Sequence, residues 1–176
     1  KLPIIIYNIS HANLMNLDTL KQLAKIDNIK GVKYTASTHF NFNTIKKEIG
    51  EYFKIYSGMD EMAMSGLISG ADGIIGSFYN LMPEMFVGIF TNIKNGNINE
   101  AKKLQDKVNI IILYALKKSG YPFIKMGLNW LGVDSGYVRR PLVSLVDKKI
   151  EQEIKNDLKK LSEENDLSGL NFLKAL

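Results

Sequence analysis

The chain has 176 residues, 45% of them hydrophobic and 23% charged, with no cysteine and a formal net charge of +5. That length carries one core-forming domain, the apolar fraction excludes wholesale disorder, and the lack of cysteine excludes disulfides, thiolate nucleophiles and Cys-ligated zinc. No apolar run reaches the roughly 18 residues of a membrane span and no signal-peptide pattern opens the chain, so a cytoplasmic protein with no membrane partner is expected. Of the 23 basic residues all but Arg139 and Arg140 are lysines, spread along helices instead of gathered in a patch, which argues against a nucleic-acid partner.

The first half keeps a strand–helix beat. Leu2-Pro3-Ile4-Ile5-Ile6-Tyr7-Asn8 is a short β-branched run that predicts a buried strand. Asp18 is placed to cap a helix carrying Leu20, Leu23 and Ile26. Ile29 to Tyr34 predicts a second strand, followed by a helix through Phe42, Ile45 and Ile49 that Gly50 stops. Phe53 to Ser57 predicts a third strand, and Asp60 opens a helix through Met64, Leu67 and Ile68 that ends at Gly70. Gly73 to Gly76 predicts a very short fourth strand before a helix from Pro83 to Lys94. Alternation at such short spacing predicts an α/β fold, a parallel sheet with helices packed outside it.

The second half reads as helical. Asn97 or Asn99 caps a helix through Ala101, Leu104, Val108, Ile111 and Ala115 that Gly120 closes. A shorter helix follows Pro122 towards Leu131, and Lys148 to Glu164 sets Ile150, Ile154, Leu158 and Leu161 on one face.

The residues able to do chemistry fall at the carboxyl ends of the strands, which form the active face of parallel β/α folds. Tyr7 closes the first strand, Lys33 and Thr35 the second, Gly58 with Asp60-Glu61 the third, and Gly76-Ser77 the fourth. Side chains alternate along a strand, so Lys33 and Thr35 share a face opposite Val32 and Tyr34. If Val32, Ile4 and Ile6 pack under the helices, Lys33, Thr35 and Tyr7 point to the centre. An ammonium there is costly unless it is paired or gives up its proton, and a neutral lysine amine can attack a ketone to form a Schiff base. The plainer readings are a solvated Lys33, a strand-end Tyr7, an Asp60-Glu61 pair at a helix N-terminus and a simple turn at Gly76-Ser77. His11 and His39 lie in predicted loops without a second ligand at metal spacing and read as solvated; Met62, Met64, Met82 and Met85 read as core filler. No phosphate, dinucleotide or metal motif is present.

These residues also fall into blocks. Tyr7-Asn8-Ile9, Gly31-Val32-Lys33-Tyr34-Thr35, Gly58-Met59-Asp60-Glu61 and Gly70-Ala71-Asp72-Gly73-Ile74-Ile75-Gly76-Ser77 resemble the N-acetylneuraminate lyase branch of the dihydrodipicolinate synthase/neuraminate lyase superfamily, in its order and near its spacing. Leu131-Gly132-Val133-Asp134-Ser135-Gly136 through Arg139-Arg140-Pro141-Leu142 is similar to the superfamily's C-terminal region. The resemblance implies a (β/α)₈ (TIM) barrel with three extra C-terminal helices. Residues 1–95 would be its second half, strands five to eight, and residues 96–176 the helical extension packed on it.

The resemblance further implies a homotetramer that cleaves sialic acid to pyruvate and N-acetylmannosamine, with no cofactor or metal. Lys33 would form the Schiff base and Tyr7 would pass protons. Thr35 would shape the site around the ketone. Gly58, Asp60 and Glu61 would hold the sugar's polyhydroxyl tail, and Gly76 and Ser77 would line the same pocket. The synthase branch of the superfamily places an arginine five residues after the strand-five tyrosine; here that residue is Ala12, and no arginine precedes Arg139. A sugar-acid substrate is therefore favoured, with a sibling pyruvate-dependent aldolase or synthase (for another 2-keto-3-deoxy sugar acid, or dihydrodipicolinate synthase-like), or a non-catalytic half-barrel, as the alternatives.

Two departures from the family pattern carry expectations. After Tyr7-Asn8-Ile9 the family has proline and then Thr/Ser-Gly, whereas this chain has Ser10 and then Asn13-Leu14, which predicts an active-face loop of different shape. A barrel of this class needs about 250 residues, and only four strands are legible. The expectation is a longer natural enzyme, a second chain that completes the barrel, or a truncated product, with these 176 residues inactive by themselves.

Overall fold

The structure, a computed structural model, describes residues 2–176. Four β-branched segments form strands β1 (Ile4–Ile9), β2 (Ile29–Thr35), β3 (Lys54–Ser57) and β4 (Gly73–Ile74), and they pair in the order β1-β2-β3-β4. Every pairing is parallel. Parallel neighbours need a crossover, and the crossovers carry α1 (Leu17–Ala24), α2 (Asn41–Ile49) and α3 (Ala63–Ile68). After β4 the chain is helical: α4 (Pro83–Lys94), α5 (Ile98–Lys117), α6 (Tyr121–Trp130) and α7 (Lys148–Glu164).

Alternation sorts the strand residues as expected. Val32, Tyr34 and Ile55 are buried against Leu20 of α1, Phe42 and Ile45 of α2, and Phe53. Lys33 and Thr35 lie half-buried on the other face. A second, larger apolar cluster joins Ala63 and Leu67 of α3 and Met82, Phe86 and Ile89 to Val108, Ile111 and Ile112 of α5, Phe123 of α6 and Ile154 and Leu158 of α7. The helical tail is thus packed into the same core as α3 and α4. No helix among the described residues is long and apolar enough to cross a membrane.

Several local expectations change. Asn16, not Asp18, caps α1: its side chain accepts the Thr19 N–H at 2.9 Å from an extended backbone, which leaves Asp18 in the first turn. The helix after β3 opens at Ala63, because Asp60–Met62 forms a separate 3-10 turn. β4 stops at Ile74, two residues short of Gly76, where the chain turns away into a 3-10 turn at Phe78–Asn80. Ile4 stays half exposed at the unpaired edge of β1, so it does not pack under the helices as Ile6 does. Met82 and Met85 are core residues and Met64 packs against the core, but Met62 is only half-buried outside the cluster.

His39 is the clearest reversal. It is buried, not solvated: its ring lies 5.0 Å from that of Phe42, and its Nδ1 is hydrogen-bonded to Ser65 Oγ at 3.0 Å. The apolar surroundings hold its pKa below the ordinary value. The loop after β1 also takes a specific shape: Ser10–Ala12 is a 3-10 turn, and Asn13 then adopts a φ of +58°, a conformation that asparagine tolerates better than most residues.

Phe42 joins both layers of the sheet–helix core, with no solvent exposure and its ring edge-on to Tyr34. Phe42→Ala is expected to cost about 3–5 kcal/mol in urea denaturation, and a loss below about 1 kcal/mol would show that this layer is not packed as described.

Candidate active site

Parallel register brings the chemistry together. Tyr7 of β1 is aligned with Lys33 of β2, which in turn is aligned with Tyr56 of β3, so all three side chains leave the sheet on one face. The Lys33 Nζ stands 4.3 Å from the centroid of the Tyr7 ring. Two residues on, Ile9 is aligned with Thr35, whose hydroxyl is buried and has no hydrogen-bond partner among the described residues. Gly58 makes this arrangement possible. A Cβ there would overlap Thr35 Oγ1 and stand 3.0 Å from Lys33 Cε, so only glycine lets both side chains lie along the end of β3.

The turns after β3 and β4 close on each other through Asp60. Its carboxylate accepts the Phe78 N–H at 2.8 Å, and the bare Cα of Gly76 lies against it where any Cβ would collide. Asp60 is therefore not an exposed helix N-terminus: it is buried, and it ties the β3 turn to the β4 turn. Burial pushes its carboxyl up to about 6, with the Glu61 charge acting in the same direction, against the Phe78 N–H and the Lys33 charge. Glu61, beside it, is half-buried.

Tyr7, Lys33, Thr35, Gly58, Asp60, Glu61, Gly76 and Ser77 all line one cleft of about 540 Å³ at the carboxyl ends of the strands. Ser10 and His11 of the β1 loop edge it as well, and His11 is exposed there. One wall escapes the sequence reading. Ile112 and Leu116 of α5, Ser119 and Gly120 of the following turn, and Tyr121 and Ile124 of α6 face the same space. Ser119 and Gly120 both have positive φ, 79° and 52°, and the tight reversal they make swings α6 over the cleft. Leu116 and Tyr121, large side chains at either side of that turn, are left largely exposed.

A primary amine beside a phenol ring, a buried hydroxyl and an acidic turn thus share one cleft at the carboxyl ends of a parallel sheet, the place where such α/β folds carry their sites. A model of the dihydrodipicolinate synthetase family matches residues 1–161, and the chain belongs to that family. N-acetylneuraminate lyase of Rhizobium meliloti (strain 1021) is 34% identical over 152 residues, which are 86% of this chain and 49% of the relative. CdNal from Clostridium difficile, solved in complex with mannosamine, superposes with a TM-score of 0.82 at 31% identity, covering 90% of this chain and 55% of the other. A Ruminococcus gnavus sialic acid aldolase, solved as its catalytic lysine mutant, superposes with a TM-score of 0.78 at 31% identity over the same shares, 90% and 55%. The chain spans about half the length of these relatives.

Two outcomes test the geometry. Gly58→Ala should displace Lys33 and Thr35 and cost roughly 1–3 kcal/mol in denaturation; a neutral substitution would contradict the close approach. Because the folded-state value for Asp60 is raised, its carboxyl favours folding fully below pH 3.8 and loses that contribution as pH rises through about 6. Asp60→Asn keeps an acceptor for the Phe78 N–H but cannot ionise. Its stability relative to the parent should therefore rise by on the order of 3 kcal/mol between about pH 4 and pH 7, and a difference that stays flat across that window would refute the burial argument.

Proposed function

We propose that the complete protein is a Schiff-base, class I aldolase-type lyase that cleaves N-acetylneuraminate to pyruvate and N-acetylmannosamine. The observation that carries this reading is the Lys33 amine beside the Tyr7 ring in the strand-end cleft. Family membership and the named lyases among the relatives support it. Lys33 attacks the C2 ketone of the open-chain sugar acid; water leaves and an iminium forms. The C4 hydroxyl gives up its proton, the C3–C4 bond breaks, and its electron pair passes into the iminium to give an enamine and the aldehyde product. Protonation at C3 and hydrolysis release pyruvate and restore the amine. Tyr7, next to the reacting nitrogen, is the group that relays these protons. The unpaired Thr35 hydroxyl offers the bound ketone acid a hydrogen bond, and Glu61 with the Gly76-Ser77 turn faces the polyhydroxyl tail.

In this reading β1–β4 are strands five to eight of a closed (β/α)₈ barrel. Residues 1–95 belong to the barrel and residues 96–176 are the extension packed against it. The exposure of Leu2, Ile5 and Tyr7 on and before β1 suits a wall that further strands cover, supplied by the same polypeptide or by another. Residues 1–176 alone are then inactive.

The direct test is borohydride reduction of the complete protein with pyruvate. A covalent adduct should map to Lys33, and Lys33→Ala should abolish both adduct and cleavage. Tyr7→Phe should keep the adduct while lowering kcat by about 10²-fold or more. An adduct on another lysine, or full activity in Lys33→Ala, would overturn the proposal. Comparing products from several 2-keto-3-deoxy sugar acids separates the N-acetylneuraminate reading from its siblings.

A further inference from the structure

The turn that bears Asp60 and Glu61 is held by two amide side chains from α5, more than 40 positions further along the chain. Gln105 is buried on the face of α5 that carries Ala101, Val108 and Ile112. Its Nε2 donates to the Asp60 backbone carbonyl at 3.1 Å and to Asn109 Oδ1 at 2.9 Å, and its Oε1 accepts the Met64 N–H at 2.9 Å. Asn109, one helical turn on, donates from Nδ2 to the Glu61 carbonyl at 3.1 Å. Every polar atom of Gln105 is therefore spent within reach of the turn, and the two consecutive carbonyls of Asp60-Glu61 are both taken by α5. A polar residue at a core position of a helix costs stability unless its bonds are made, and here they are made to the turn that lines the cleft.

We propose that Gln105 and Asn109 are positioning residues that set the Asp60-Glu61 turn for recognition of the substrate's polyhydroxyl tail. This rests on the lyase reading given above. The bonds fix the backbone at both residues, so the direction in which Glu61 enters the cleft depends on them. The Lys33–Tyr7 pair sits on the sheet and is not touched by either amide, so the ladder acts on the tail end of the substrate and leaves the condensing end unchanged.

The test uses the complete protein with Gln105→Leu, and with Asn109→Leu, which is half-buried and spares the core should the first variant fail to fold. Each should raise KM for N-acetylneuraminate roughly five- to tenfold, the effect of losing the side chain's hydrogen bond to the turn. The kcat, the rate of borohydride trapping with pyruvate, and KM for a short 4-hydroxy-2-keto acid that keeps the cleavable C3–C4 bond but lacks the longer polyhydroxyl tail should stay within about twofold of the parent. A general loss of folding would move all of these together. An adduct at Lys33 in the parent with unchanged KM in both variants would overturn this inference alone. Equal losses on long and short substrates would reduce both amides to a purely structural part. Failure of the parent to form any pyruvate adduct would overturn the lyase reading and the positioning role with it.

Discussion

The alignment of Tyr7 with Lys33 across a parallel pairing is the constraint on which the rest depends. A lysine on the inner face of a sheet needs a reason to be there, because its head group is poorly served by an apolar wall. Parallel register supplies a neighbour at the same height, and the aromatic ring beside the amine is the result. Once these two side chains share a face, Lys33 and Thr35 of β2 are committed to the cleft and Val32 and Tyr34 to the helices. A slip of one residue would exchange Lys33 for Val32 and destroy both the core and the site together.

Glycine and carboxylate then do complementary work at the strand ends. Gly58 leaves room for Lys33 and Thr35 to lie down along β3, and Gly76 leaves room for Asp60 to reach the Phe78 N–H. The site is consequently braced from below by strands and from the side by a buried carboxyl, with α5 gripping the intervening turn. The helical tail is part of this construction: it shares its core with α3 and α4 and closes one wall of the cleft.

Most of the architecture was legible because strand and helix periods are strong local signals. The four strands, their parallel order and the inward direction of Lys33 follow from short β-branched runs and from alternation around Val32 and Tyr34. The eight residues expected at the strand ends do line one cavity. What local pattern could not show was tertiary: His39 reads as a loop histidine until α2 and α3 enclose it, and Asp60 reads as a helix start until the β4 turn folds onto its carboxyl. Gln105 left a trace, a polar residue in the apolar phase of α5, but its meaning depends on a turn 45 residues earlier.

The claim at the centre, that the Lys33 amine bonds a keto carbon under the Tyr7 phenol, is tested most directly by a crystal structure of the complete protein soaked with pyruvate. Continuous density is expected from Lys33 Nζ to the pyruvate C2, with the Tyr7 hydroxyl in hydrogen-bond reach of the adduct. Pyruvate bound without a covalent link, away from Lys33, or joined to a different lysine would contradict it.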